Sequence, residues 1–288
     1  MRYRFLSFPG GKKKAVTFSY DDGCREDIQF ANTLFEFGLK GTFNLNSAFL
    51  GRNENDWHLT GEEIQKYLLN RGFEIANHGA KHRANGLLRP IEGIRDVLEC
   101  RLSLEKTFQK IIRGMAYPDS GINRFQNGAT YQSIQQYLKD LDIAYARTTV
   151  SERSFYLPND WYAWNPTCHH SDSNIMDIID EFLQIDTSRL YISSRYPRLF
   201  YLWGHSYEFE KNSNWSLLSQ ICEKLAGRED IWYATNMEIY EYVKAYESLI
   251  FSADLHTVYN PTFFEIWFEV DGISYGIQPG ETLIVRNT

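Results

Sequence analysis

Lys14–Tyr20 (KAVTFSY) runs into Asp21-Asp22-Gly23, and the fold is decided at this junction. A β-branched and aromatic run that stops at turn residues reads as a buried strand after which the chain turns. Asp27–Phe37 (DIQFANTLFEF) then carries helical periodicity, closed by Gly38 as a C-cap. Gly41–Leu45 (GTFNL) is a second strand. Thr60-Gly-Glu-Glu63 is a capping box that opens a helix through Asn70.

The same alternation continues outward. Phe73–Asn77 is a strand ending at His78, and Pro90 to about Gln109 a long amphipathic helix. Ile112–Tyr117, Ile143–Arg147 and Arg198–Trp203 read as strands, the last ending at Gly204-His205. Tyr131–Leu141, Ile175–Leu183 and Trp215–Gly227 read as helices, followed by strand Ile231–Ala234 and helix Met237–Leu249. Strands alternating with helices predict a parallel α/β fold, either a barrel or a doubly wound sheet. The pattern changes near residue 250. Phe263–Val270, Asp271-Gly272, Ile273–Ile277, Pro279-Gly280 and Thr282–Val285 predict short strands joined by tight turns. The expected organisation is therefore an α/β domain over 1–249 and a small antiparallel β unit over 250–288.

Composition narrows the function classes. Thirty basic against 37 acidic residues give a net charge of −7, which argues against a nucleic-acid or anionic-membrane binder. Cys24, Cys100, Cys168 and Cys222 are widely spaced, so neither a zinc ribbon nor a disulfide scaffold is predicted. The N-terminal residues contain no apolar stretch of secretory type, which leads to the expectation of a cytoplasmic protein, and no run is long enough to span a membrane. The 19 Tyr, 19 Phe and 7 Trp read mainly as packing, with some available to line a ligand cleft.

The residues capable of chemistry follow predicted strands. Asp21 and Asp22 follow the first, His78 and His82 the third, and His205 the strand at Arg198–Trp203. Strand C-terminal ends gather at one face of a parallel α/β fold, where active sites form. Alone, Asp-Asp-Gly is an ordinary turn and His-x-x-x-His an ordinary helix pair. Together, at three strand ends, they form a metal-site constellation with coordination positions left open for water or substrate. Neighbouring side chains diverge at a strand end, so one aspartate would ligate the ion and the other act as a base. A histidine from another strand would supply the leaving-group proton. His169 and His170 lie in a polar stretch (HHSDS) and are expected in a surface loop, with a second metal site as the alternative.

These residues resemble the motifs of the polysaccharide deacetylase family, also called NodB homology or carbohydrate esterase family 4. Thr17–Gly23 is similar to its first motif, Asn77–His82 (NHGAKH) to its second with Gly79 in place of a hydroxyl residue, and Leu202–His205 (LWGH) to its late motif. The resemblance implies a distorted (β/α) barrel of about seven units. It also implies a divalent ion, zinc first with cobalt, nickel or manganese as alternatives, held by Asp22, His78 and His82. Asp21 would then be the general base and His205 the general acid in removing an acetyl group from an N-acetylated sugar. O-acetyl esterase activity, allantoinase-like amide hydrolysis and a non-catalytic carbohydrate-binding barrel are the alternatives.

The third motif departs from the family pattern. Met115–Gly121 (MAYPDSG) looks like an Ala-Tyr-Pro variant, with Ala116 where the family places an arginine beside the base. Arg113 points to the opposite strand face, so Asp21 is expected to lack its usual cation. Tyr117, Pro118 and Asp119, with Trp161 and Trp164 from a loop similar to the family's aromatic fourth motif, are the expected substrate cleft. The β unit could cap the barrel, bind sugar or mediate oligomerisation.

Overall fold

The computed structural model describes residues 2–51, 57–188 and 191–286. In chain order the elements are β1 (Arg4–Ser7), β2 (Lys14–Asp21), α1 (Asp27–Glu36), β3 (Thr42–Leu45), α2 (Gly61–Tyr67), β4 (Glu74–Asn77), α3 (Pro90–Phe108), β5 (Gly114–Ala116), α4 (Tyr131–Asp140), β6 (Tyr145–Arg147) and β7 (Cys168–His169). They continue with α5 (Ile175–Gln184), α6 (Ile192–Arg195), β8 (Arg198–Gly204), α7 (Tyr207–Lys211), α8 (Trp215–Leu225), β9 (Ile231–Tyr233) and α9 (Asn236–Glu247). The β-rich end comprises β10 (Ile250–Phe251), β11 (Thr257–Tyr259), β12 (Ile266–Val270), β13 (Ile273–Ile277) and β14 (Thr282–Ile284).

The parallel strands run in the order β6-β5-β4-β3-β2-β8-β7, with β9 beside the start of β2. Helices pack outside the curled sheet, giving a distorted (β/α) barrel. Beyond β6 the sheet is extended by Trp164, whose N–H donates to Ala146 O at 3.0 Å and whose carbonyl accepts from Thr148 N–H at 3.0 Å.

Strand β2 is buried along its whole length and shows how alternation builds both faces. Val16, Phe18 and Tyr20 join an apolar cluster with Phe30 and Leu34 of α1 and Leu218 and Ile221 of α8. Fully burying such side chains contributes roughly 1.5–3 kcal/mol each. Thr17, Ser19 and Asp21 face the barrel interior instead. Thr17 Oγ1 donates to Asn236 Oδ1 at 2.9 Å, and Asn44 Nδ2 donates to Ser19 Oγ at 2.8 Å.

A polar layer crosses the interior below the rim. Glu74 accepts from Tyr145 Oη at 2.6 Å, Thr42 Oγ1 at 2.8 Å and the Met237 N–H at 2.8 Å. The last contact places a carboxylate at the N-terminus of α9, where exposed N–H groups favour negative charge.

The hairpin β12–β13 turns at Asp271-Gly272, both with positive φ (49° and 88°), as its sequence predicts. β1 pairs antiparallel with β12, in register Arg4↔Val270. The sheet thus crosses the boundary expected near residue 250, because an N-terminal strand supplies its outer edge. One core cluster runs from Leu6 and Phe8 through Trp164 and Tyr201 to Ile266 and Phe268. All four cysteines are buried and free. Among the described residues, no helix is long and apolar enough to cross a membrane.

Candidate metal and catalytic site

Asp21 ends β2 on its interior face and is almost wholly buried. Arg147, also buried, reaches it from the end of β6, with Nη2 donating to both carboxylate oxygens, 2.6 Å to Oδ1. Asn44 Nδ2 donates to Oδ1 as well, at 2.8 Å. The expectation that Asp21 lacks a cation is therefore corrected. Ala116 and Arg147 are register partners on β5 and β6, so the cation comes from the neighbouring strand at the same level. The guanidinium lies over the Trp203 ring, 4.6 Å from its centroid. Burial alone would raise the Asp21 pKa, but Arg147 and then His78 and His205 outweigh it and hold it down at about 2.

Asp22 leaves the strand with φ 82°, a left-handed conformation that turns its side chain away from that of Asp21. Its Oδ1 lies 3.6 Å from His78 Nε2 and 3.3 Å from His82 Nε2. His78 Nδ1 sits 2.9 Å from the Ala116 carbonyl, which accepts its proton and leaves Nε2 bare. That buried Nε2 has no hydrogen-bond partner. Burial lowers the His78 pKa against the pull of Asp21 and Asp22, keeping the neutral ligand form. An orphaned imidazole nitrogen, a second imidazole and a carboxylate oxygen aimed at one point fit a divalent ion of the zinc type.

The two histidines converge without a helix. Left-handed Gly79 (φ 70°) and His82 (φ 53°) turn the loop, and Asn46 Nδ2 donates to the His78 and Gly79 carbonyls. A Cβ on residue 79 would lie 2.5 Å from Asp96 Oδ2. That carboxylate is fixed by the Ala80 and Lys81 N–H groups at 3.0 and 3.2 Å, which accounts for glycine where the family motif has a hydroxyl residue.

His205 follows β8 and faces the aspartates, with Nε2 4.0 Å from Asp21 Oδ2 and 3.9 Å from Asp22 Oδ2. Its Nδ1 lies 3.5 Å from Glu208 Oε1. Burial pulls its pKa down, but Glu208, Asp21 and Asp22 together raise it above the ordinary value. The Tyr207 ring lies 5.2 Å from the His205 ring, and Trp57 lies 5.7 Å from Tyr207, so aromatic surface borders this side.

The expected cleft residues are placed differently. Tyr117 points outward from its strand end into the packing of Val97, Ile134 and Tyr137, its hydroxyl bonded to the Tyr162 carbonyl at 2.8 Å. Trp164 is a buried interior residue, edge-on to Tyr145 at 5.3 Å and Tyr201 at 4.9 Å. Trp161 packs against Trp164 and lines a separate cavity of about 800 Å³ with Arg4, Tyr156 and Tyr246. Pro118 is buried beside Gly79, and Asp119 is exposed with φ 52°. For Tyr117, directly after β5, one residue of offset turns the ring from the mouth into the core.

His169 and His170 are also not in a surface loop. They end β7 and its continuation, and His170 is 1% exposed. Sequence reasoning named these two but favoured a loop for them, and it missed Arg147 and Glu208. The signals were present, since Arg147 closes a predicted strand and Glu208 stands three residues after His205.

Residues 9–144 match the family described as polysaccharide deacetylase. No curated protein sequence matches the chain. A Mycobacterium smegmatis structure assigned as a polysaccharide deacetylase is 16% identical, with a TM-score of 0.58 over 84% of this chain and 94% of its own. A Pseudomonas aeruginosa PAO1 structure assigned likewise is 12% identical, with a TM-score of 0.56 over 81% and 92%. The allantoinase PuuE is 12% identical, with a TM-score of 0.56 over 81% and 91%. At such identities the structures speak to the fold, whereas the matched stretch contains Asp21, Asp22, His78 and His82 themselves. The family match thus covers the part of the chain that carries these four residues, on a barrel similar to those of the three structures.

Proposed function

We propose that the protein is a divalent-metal-dependent hydrolase that removes the acetyl group from an N-acetylated sugar or polysaccharide. The observation that carries this reading is the convergence of Asp22, His78 and His82 between a buried, ionised Asp21 and His205. Asp22, His78 and His82 would hold the ion, zinc fitting the two-nitrogen, one-oxygen donor set, with cobalt, nickel or manganese able to substitute. A bound ion supplies Lewis-acid polarisation of the acetyl carbonyl and acidifies a water.

The remaining chemistry belongs to the side chains. Asp21 stays ionised at any working pH and accepts the proton of the attacking water, its lone pairs oriented by Arg147 and Asn44. Water oxygen joins the acetyl carbon, the carbon–nitrogen bond breaks, and acetate and an amine leave. His205, whose pKa lies above the ordinary histidine value, gives its proton to the departing nitrogen. The Glu208 carboxylate, 3.5 Å from Nδ1, sits on the far side of the ring from the aspartates that Nε2 faces. Trp57 and Tyr207 offer aromatic faces suited to a sugar ring.

The test is acetate release from a panel of N-acetylated glycans, acetylated xylan and ureides. Release from an N-acetylated glycan that chelation abolishes and Zn2+ restores is the expected result. Turnover of ureides alone, or turnover indifferent to chelation, overturns the reading.

A further inference from the structure

On the far side of His205 lies a second set of donors that the hydrolysis above does not use as ligands. His170 Nε2 is 3.2 Å and His169 Nε2 is 3.3 Å from the same oxygen, Glu208 Oε2. His170 is stacked between Tyr20 and Phe209, with ring centroids at 5.7 and 4.2 Å. Gly204 permits that placement, because a Cβ there would lie 2.0 Å from His170 Nδ1. Four elements thus converge to aim one imidazole at one carboxylate oxygen.

The oxygen they face is buried and has no hydrogen-bond partner. The Tyr20 hydroxyl lies 3.2 Å from His170 Nδ1, and in the tautomer that gives it the Nδ1 proton the Nε2 lone pair points at Oε2. In that tautomer two buried acceptors face each other at 3.2 Å, which is costly unless a cation stands between them. His169 Nδ1 lies 2.7 Å from the Ser171 hydroxyl, which can take its proton in the same way. The Ser171 N–H, 3.2 Å from the same nitrogen, favours the other tautomer, so ligation by His169 moves one proton within its ring.

We propose that His169, His170 and Glu208 bind a second divalent transition-metal ion, distinct from the one at Asp22, His78 and His82. Two imidazole nitrogens and one carboxylate oxygen select zinc, nickel, copper or ferrous ions over calcium or magnesium. His205 stands between the two donor sets, Nε2 facing Asp22 and Nδ1 facing Glu208. A Glu208 carboxylate that ligates through Oε2 keeps Oε1 for His205, so the second ion anchors the side chain that orients the proposed acid. This inference does not depend on the hydrolytic reading.

The experiment is Zn2+ binding stoichiometry of the stripped full chain, by calorimetry and elemental analysis, with Co2+ absorption reporting each ligand field. Wild type, Asp22→Asn, His169→Gln and Glu208→Gln are compared, with circular dichroism confirming that each is folded. Two equivalents in wild type, falling to one in Asp22→Asn and to one in both His169→Gln and Glu208→Gln, is the expected result. One equivalent, lost in Asp22→Asn and kept in His169→Gln and Glu208→Gln, overturns this inference and leaves the proposed function standing. One equivalent lost only in His169→Gln and Glu208→Gln upholds the second site and overturns the first.

Discussion

Arg147 and Asp21 form a buried ion pair across the barrel mouth, and the arginine stands one strand away from where the family motif puts it. Removing one partner of such a pair leaves an uncompensated buried charge, which typically costs about 3–5 kcal/mol. Arg147→Ala should lower stability by that order in a denaturant titration and depress acetate release. Because Ala116 is the register partner of Arg147, adding Ala116→Arg to that variant should recover much of both losses. No recovery in the double variant would mean that the two positions are not interchangeable sources of the cation.

The two adjacent aspartates should separate cleanly by substitution. Asp21→Asn is expected to keep its Asp22-site metal while acetate release falls by ~10²–10⁴-fold, the usual contribution of a general base. Asp22→Asn should lose that metal outright. Elemental analysis beside a rate measurement distinguishes the two, and retained activity in Asp21→Asn would remove it from the proton-accepting role.

Gly79→Ala places a methyl group 2.5 Å from Asp96 Oδ2 at a backbone φ of +70°. The left-handed backbone alone costs roughly 1–2 kcal/mol for a non-glycine residue, and the clash adds to it. A melting temperature several degrees below wild type is expected, together with weakened Zn2+ affinity, because His78 precedes the strained residue. An unchanged melting curve would show that the loop yields freely.

Glu74 gives a pH signature. Burial raises its pKa from 4.5 to about 7, against the pull of Tyr145, Met237 and Thr42. The folded state therefore holds this proton more tightly than the unfolded state does. The sign follows: stability is greatest near and below pH 4.5 as far as this group is concerned, and falls as pH rises to about 7. The loss from this group is at most about 3 kcal/mol. Because Gln stands in for the protonated side chain, denaturant midpoints for wild type and Glu74→Gln should lie closest at low pH and diverge as pH rises through this window, with wild type falling and the variant unchanged. Parallel curves would show that Glu74 titrates normally.

The barrel was legible because β2, β3, β4 and β8 are apolar runs ended by turn residues, with amphipathic helices between them. The same logic brought Asp21, Asp22, His78, His82 and His205 to one face, where the structure finds them together. Arg147 escaped for a tertiary reason: sequence shows that a strand ends in arginine, but not which aspartate lies across the barrel. Tyr117, Trp161 and Trp164 escaped for a local one, since aromatic character does not reveal which side of a curled sheet a ring occupies. β1 and β7 are only four and two residues long, too short for a periodic signal.

The pairing of Arg4–Ser7 with Trp267–Val270 also imposes an order of events during synthesis. Of the described elements, β1 is made before the others and finds its mate only after most of them have been made. Until then Phe5 and Leu6, buried in the finished protein, are uncovered. Closing so long a loop is entropically slow and exposes an unpaired edge meanwhile. The barrel wall can assemble from neighbouring units as they emerge, whereas its floor is sealed last.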